Sequence, residues 1–430
     1  MHGAMEEEAS PRLSKKARGV AGSGLTDIAL RLAKRLTDGA AGDGGLNHNL
    51  VFSPVSIYAA LSLVAAGARG TTLDELLALL GAASRDELAE SARGVSERAL
   101  TDRSGSASGA PLVAFACGVW HEQTVALKPA YQAVAAESYK AKTHAADFKY
   151  KPEKERERIN HWVSEATDDL ITSILPPGSV HSLTGLVIAN AIYFKGRWSM
   201  PFNERDTETR QFHLLNRSTV DTRFMCSRRD HAIAVHKGFK VLKLAYHPYW
   251  IPHWEDKYRR RNKQQDSDDD SEQPRFSMCV FLPDAWDGLS ELVEKMASCP
   301  TILWDHLPKN RRKTSEVRLP KFKLSFSSQI NDVLRSMGME AAFDIGKADL
   351  TDMLEGDQPL VVEHVFHKAV IEVDEEGTKA AASTGCSIKL KCCTFPVDFV
   401  ADHPFAFFVV EEVSGTVVFM GHVIDPTRSE

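Results

Sequence analysis

Three groups of residues in this 430-residue chain carry side chains able to do chemistry. Cys392 and Cys393 are adjacent, and with His403 as a base either thiol would be a hydrolytic nucleophile. His247 and His253 would open a metal site, but no cysteine or carboxylate arrangement around them completes a ligand set, so no metal or other cofactor is expected. The third group is the stretch from Ala369 to Lys391, A-V-I-E-V-D-E-E-G-T-K-A-A-A-S-T-G-C-S-I-K-L-K, whose chemistry would lie in a change of conformation. The enzyme reading has no further support, since the chain contains no G-x-S-x-G, no H-E-x-x-H and no phosphate-binding glycine loop.

The third group starts as a strand, with β-branched Val370, Ile371 and Val373. At Glu375-Glu376-Gly377 it turns to small residues where packing bulk would be expected. Beyond Gly377 two conformations fit the residue types. Thr378 can cap a short helix through Lys379 to Ser383, with Gly385 beyond its end. As a strand, the same segment points Thr378, Ala380, Ala382 and Thr384 to one face, small enough to slide between two strands already packed over a core. The fourteen steps from Gly377 to Lys391 span about 46 Å when extended, enough to cross a large domain.

E-E-G-T-K-A-A-A-S-T followed by I-K-L-K resembles the hinge and reactive-centre loop of the serpins, in particular their plant intracellular branch. That resemblance implies an α+β fold with a large central mixed β-sheet, further sheets, about nine helices and an exposed reactive-centre loop. It implies a hinge at Glu375, Glu376, Gly377, Thr378, Ala380, Ala381 and Ala382, and a reactive bond between Lys391 and Cys392. Leu390 and Lys389 would aid protease recognition, Lys389 being the second choice for the cut. A protease attacking Lys391 would form an acyl-enzyme and be carried off by the inserting loop before water deacylates it. Lysine at that place suits a primary pocket ending in a carboxylate, because a buried ammonium needs a charge to meet it. The expected partners are trypsin-like serine proteases and, among cysteine proteases, metacaspases or papain-like enzymes. A non-inhibitory binding or chaperone-like serpin is the alternative, and the small inward hinge residues argue against it.

The sequence departs from the family pattern in two places. Lys379 stands where an acidic residue is common, on the outward face of the hinge. Six residues separate Lys391 from Asp398, fewer than in many plant relatives. Cys392 and Cys393, beside lysines, are also candidates for oxidation that would alter the bait.

The elements that must position this loop are legible along the chain. Leu25, Ile28, Leu32 and Leu36 form one helix face. In F-S-P-V-S-I-Y-A-A-L-S-L-V-A-A-G, Ser53 caps a helix with Pro54 at its first position and an end by Gly67. Thr72 and Glu75 read as a capping box for the next helix, ending at Gly81. An amphipathic helix is expected from Glu153 to Leu175, with Ile159, Trp162, Val163, Ala166 and Leu170 at helical spacing. Leu186 to Phe194 reads as a buried strand with one polar residue, Asn190. Within the resemblance, Ser53, Ser56, Asn190 and His367 match a shutter beneath the sheet. Trp198 and Lys321 match a breach where the loop first enters, with Glu375 as the ion partner of Lys321. The strands Phe405 to Val410 and Thr416 to Val423, with D-F-V-A-D-H-P-F before them, resemble the family's C-terminal strands. The likeness covers about residues 25 to 426.

At 43% hydrophobic and 26% charged the chain reads as globular, with ample apolar material for one large core. Its formal charge of -6 argues against nucleic acid as a partner, and no apolar run is long enough for a membrane span. Residues 1–24 are polar, lack an apolar signal core and are expected as a flexible tail before a single domain over 25–430. Seven scattered cysteines make no disulfide framework, and this favours the cytosol or nucleus, with unconventional export to the apoplast left open. Residues 249–275 carry a basic run, Arg259 to Lys263, and an acidic one, Asp266 to Glu272, and are expected as an enlarged hairpin loop. The reactive-centre loop is assigned to 377–397, and the protein is expected to be a monomer.

Overall fold

The structure, a computed structural model, describes residues 15–40, 46–102, 104, 110–247, 274–299, 301–356, 359–375 and 396–429. Among these are nine α-helices: α1 Lys15–Ala40, α2 Pro54–Gly67, α3 Gly70–Leu80, α4 Arg85–Ala99, α5 Pro129–Tyr139, α6 Pro152–Ala166, α7 Leu289–Ser298, α8 Ile302–Asp305 and α9 Asn331–Ser336. The first strands are β1 Leu50–Phe52, β2 Leu112–Glu122, β3 Lys142–Ala146, β4 Leu186–Lys195, β5 Glu208–His213, β6 Thr219–Ser227, β7 His231–His236 and β8 Phe239–Ala245. They are followed by β9 Phe276–Pro283, β10 Arg311–Arg312, β11 Val317–Pro320, β12 Phe322–Gln329, β13 His364–Val373, β14 Phe399–Val400, β15 Phe405–Glu411 and β16 Thr416–Val423.

Three sheets result. The central one has the order β12-β13-β4-β2-β3; a seven-stranded sheet runs β1-β16-β15-β9-β8-β7-β10, and a four-stranded sheet runs β14-β11-β6-β5. The central sheet is mixed: β13 pairs β12 antiparallel and β4 parallel, and β2 pairs β4 antiparallel and β3 parallel. β8 and β9 pair antiparallel, so the charged segment 249–275 connects a hairpin; residues 248–273 themselves lie outside the described residues.

Both faces of the central sheet's inner strands β13, β4 and β2 are largely covered, which is why these read as mostly apolar runs, unlike the edge strands β12 and β3. With a side-chain period of 2, β4 sends Leu186, Ile188, Ile192 and Phe194 into the main core and Val187, Ala189, Ala191 and Tyr193 to the other face. On that second face α6 lies over small residues, Ala114 and Ala116 of β2 with Ala189 and Ala191, and packs Ile159 and Val163 against them. Trp162 of α6 sits against Gly118, where a Cβ would come within 2.8 Å of the indole.

Local signals account for several helix ends. Ser53 accepts from the Ser56 amide, Pro54 takes the first helical position, and Gly81 closes α3 at φ +67°. Three expectations are corrected. α1 begins at Lys15, not after residue 24: Lys15, Lys16, Ala17 and Arg18 are strong helix formers and extend a helix nucleated by the buried stripe of Leu25, Ile28, Leu32 and Leu36. Thr72 and Glu75 form no capping box, because α3 starts at Gly70; Thr72 Oγ1 accepts from Asp349 N, and Glu75 accepts from the Glu340 and Ala341 amides. α6 stops at Ala166 instead of Leu175. Asp168 and Asp169 take φ of 49° and 60°, and Asn160 captures the turning chain through the amides of Ile174 and Leu175 at 2.8 and 2.9 Å. Ile171, Ile174 and Leu175 are buried in the same cluster as the helix, so apolar spacing persists after the helix has ended, while Leu170 is exposed.

Candidate functional site

The segment singled out by its sequence leaves the central sheet at the end of β13 and is next seen entering the four-stranded sheet at β14. Residues 376–395 lie outside the described residues, and with them Glu376, Gly377, Thr378, Ala380, Ala381, Ala382, Lys389, Leu390, Lys391 and Cys392. The site the structure does describe is the seam between β13 and β4, from whose end the segment departs.

That seam is the parallel pairing of β13 with β4, from His364 opposite Val187 to Ile371 opposite Phe194. At its middle the period of 2 puts two polar residues on the core face, and the register sets them opposite each other: Asn190 and His367. Both are buried. A buried polar group must be paired, and here every partner is at hand. Ser53 N donates to His367 Nε2 at 3.1 Å, so the ring proton is on Nδ1, which donates to Asn190 Oδ1 at 2.9 Å. Ser56 Oγ donates to the same Oδ1, and Asn190 Nδ2 donates to Ser56 O at 3.1 Å. Ser53 Oγ donates to Val418 O at 2.7 Å, tying the network to β16. Burial lowers the His367 pKa to about 3, so the ring is neutral, and burial raises that of Cys117, next to Asn190 on β2, to about 12.

A second cluster closes the end of the seam where β4 and β13 both finish. Trp198 Nε1 donates to Asp374 O at 2.8 Å and its indole stacks on Tyr246 at 4.4 Å. Gly196 makes room for this stack, since a Cβ there would enter the Tyr246 ring. Glu375, only 3% exposed, meets Lys321 Nζ at 2.6 Å and accepts from Thr207 Oγ1 at 2.8 Å, with Arg223 3.9 Å away. Its carbonyl accepts from Phe202 N at 2.9 Å. Burial pushes the Glu375 carboxyl up, but the hydrogen bonds from Lys321, its own backbone and Thr207 outweigh it, and the pKa lies below the ordinary glutamate value. Beside it Lys195 at the end of β4 bridges Glu372 and Asp374, each at 3.2 Å, so a second ion cluster joins β4 to β13.

Sequence reasoning brings Ser53, Ser56, Asn190, Trp198, Lys321, His367 and Glu375 to this seam, in two groups. It misses Thr207, Arg223, Lys195, Glu372 and Asp374. Lys195 carried a signal, as the last residue of a strand whose end faces three carboxylates in E-V-D-E; Thr207, just before β5, and Arg223 of β6 reach Glu375 from elsewhere in the chain and carried none.

The other chemistry finds little here. His403 is engaged at both nitrogens, Nδ1 with Asp402 Oδ1 at 2.8 Å and Nε2 with Pro283 O at 2.7 Å, and is not presented as a base. His247 is exposed and His253 lies outside the described residues. Among the described residues no helix is long and apolar enough to cross a membrane.

A family model, Serpin (serine protease inhibitor), matches residues 23–426. Serpin-Z2A of Oryza sativa subsp. japonica is 56% identical over 428 residues, covering 94% of this chain and 97% of that protein. Serpin-Z2B of the same plant is 53% identical over 424 residues, covering 95% and 98%. The fold superposes on Arabidopsis AtSerpin1, in what is described as its native stressed conformation, with a TM-score of 0.84 and 37% identity, over 97% of this chain and all of that one. With the family matched from α1 to beyond β16, and with a mixed central sheet whose strand β13 runs into the singled-out segment, this chain belongs to the serpin family of protease inhibitors.

Proposed function

We propose that this serpin is a suicide-substrate inhibitor of proteases with basic primary specificity, cut between Lys391 and Cys392. The protease nucleophile attacks the Lys391 carbonyl carbon, the Lys391–Cys392 peptide bond breaks, and the amine of Cys392 departs with the proton. Lys391 is left as an acyl-enzyme ester, or thioester with a cysteine protease. Residues from Gly377 onward then enter the seam and drag the acyl-enzyme to the far end of the sheet before water deacylates it.

The observation that carries this reading is the direction of the seam. β4 and β13 are parallel, and the segment leaves from the end of β13. A strand turning back there would run antiparallel to both neighbours. Insertion would replace one parallel ladder by two antiparallel ones, which are slightly more stable per residue. At roughly 0.5 to 1.5 kcal/mol net per ladder bond, a strand of this length supplies on the order of 10 kcal/mol before ordering costs. Ser53, Ser56, Asn190 and His367 act as the latch at mid-seam; Trp198, Lys321 and Glu375 act as the latch at the entry. Trypsin-like serine proteases are the readily tested targets, and metacaspases are equally compatible with Lys391. The protein acts as a monomer in the cytosol or nucleus.

The test is limited digestion with trypsin, followed by N-terminal sequencing of the small fragment and a melting scan of the cleaved protein. A fragment starting at Cys392 and a melting temperature raised by well over 10 °C support the reading. A cut without added heat stability would mean that the loop stays out, as in a non-inhibitory serpin.

A further inference from the structure

At the end of the seam opposite Glu375 three side chains able to ligate a metal converge. Glu363 N donates to Leu186 O at 3.1 Å, the last bond joining the start of β13 to β4. Its carboxylate is held by Gly185 N, which donates to Oε2 at 3.2 Å, leaving Oε1 turned toward two imidazoles. His181 Nε2, from the connection between α6 and β4, lies 2.8 Å from Oε1, and His364 Nε2 lies 3.8 Å from it. One ligand atom from each of the three residues falls within 4.8 Å of the others. His364 is the unusual member: its side chain is 17% exposed, its Nδ1 is buried without a hydrogen-bond partner, and 3.8 Å is too long for a hydrogen bond from Nε2. A largely buried imidazole with neither nitrogen tied down is short of a partner.

We propose that His181, Glu363 and His364 form a zinc site that clasps the far end of the β4–β13 seam shut. Two imidazoles and one carboxylate are a ligand set that zinc accepts, with a fourth position left to water. Metal–ligand distances of 2.0–2.2 Å place tetrahedral ligand atoms about 3.4 Å apart; the two separations from Glu363 bracket that figure and all three ligand atoms lie within 4.8 Å of one another, so side-chain rotations draw them into one shell. Zinc on His181 Nε2 puts the proton on Nδ1, which now accepts from Leu183 N at 3.2 Å; Leu183 is 85% exposed, so water takes over that amide. The Gly185 amide is the outer support that keeps the carboxylate aimed.

The consequence rests on the inhibitory reading above. Inserting a strand moves β13 from β4 by about 4.8 Å, more than a metal shell tolerates, so zinc binds the closed seam and not the open one. At zinc one hundred times its dissociation constant the closed seam is favoured about 100-fold further. Zinc would thereby slow insertion and send more of the protein down the path of plain cleavage.

The experiment uses the full chain stripped with EDTA. Calorimetric titration with Zn²⁺ is expected to show one equivalent bound, weakened at least about 10-fold in His181→Gln and in His364→Gln. Co²⁺ is expected to give the visible bands of a tetrahedral nitrogen and oxygen site with no thiolate-to-cobalt band. His181 is half exposed, so its replacement leaves the fold intact, and a melting scan checks this. In trypsin assays zinc should lower the share of protein trapped as complex for wild type but not for His181→Gln, which also cancels any direct action of zinc on trypsin. Binding unchanged in both variants, a thiolate band, or equal zinc effects on trapping in wild type and His181→Gln would overturn the proposal. Absence of any complex in EDTA would instead count against the inhibitory reading, because the zinc titration needs no protease.

Discussion

His367 Nδ1 donates to Asn190 Oδ1 at 2.9 Å across the β4–β13 pairing, the one that the proposed loop entry would break, with the two residues opposite each other in register. Their bond is part of a network in which Ser53 and Ser56 satisfy every remaining polar atom of the pair. The network holds the sheet closed by an arrangement that cannot be half-opened without leaving a buried donor or acceptor unpaired. Asn190→Ala is therefore expected to lower the stability of the uncut protein by about 1–3 kcal/mol, read as a lower urea midpoint with an unchanged slope. An unchanged midpoint would mean that Asn190 contributes no latch.

Acid should weaken the same latch. His367 is held neutral down to about pH 3, whereas an unfolded histidine takes up its proton near 6.5. Between those values the unfolded chain binds a proton that the folded one refuses, so stability falls as pH falls, by up to about 1.4 kcal/mol per pH unit for each such group. His422 and His231, lowered by burial to about 4, add to the slope over the upper part of that window. Glu375 acts lower down: with its pKa depressed, its contribution is present above the ordinary carboxylate value and is lost as pH falls through the folded one. Urea midpoints measured from pH 7 to 4 should decline steadily, and His367→Gln should remove about one proton from the slope between pH 6.5 and 4. A slope unaltered in that variant would contradict the assignment.

At the entry, Lys321→Ala leaves the buried Glu375 carboxylate with Thr207 and a distant Arg223. A loss of about 2–4 kcal/mol is expected, and Glu375→Gln in the same background should recover part of it. A double-mutant cycle gives the coupling. If the two effects simply add, the pair is not an energetic unit.

Much of this was legible in the sequence, and the limits have physical causes. Ser53 before Pro54, the lone Asn190 in an apolar strand, and the strand run from Val370 to Val373 are local signals, and each element formed where they stand. The end of α6 was not legible, because Ile171, Ile174 and Leu175 keep an apolar spacing that serves burial on the sheet after Asn160 has captured the backbone. Thr72 and Glu75 spelled a capping box but are used across the chain, on Asp349, Glu340 and Ala341, which no local pattern announces. The partners of Glu375 came partly from sequence likeness, Lys321, and partly from Thr207, just before β5, and Arg223 of β6, which only the fold brings together.

The hinge makes a prediction of its own. Ala380 would face inward in an inserted strand, and proline there has no amide for the ladder and fixes its φ. Ala380→Pro should leave the uncut protein as stable as before, yet convert it from inhibitor to substrate, with trypsin cutting it and emerging active. Undiminished trapping by this variant would show that insertion does not run through Ala380.

The most direct test of the central claim is to mix the purified protein with trypsin and resolve the products on a denaturing gel, with Lys391→Ala alongside. The account predicts a covalent band at the summed mass of trypsin and the chain truncated at Lys391, absent in the variant. Clipped protein with no such band at any ratio would contradict the trapping mechanism, and an undiminished band in Lys391→Ala would contradict the bait residue.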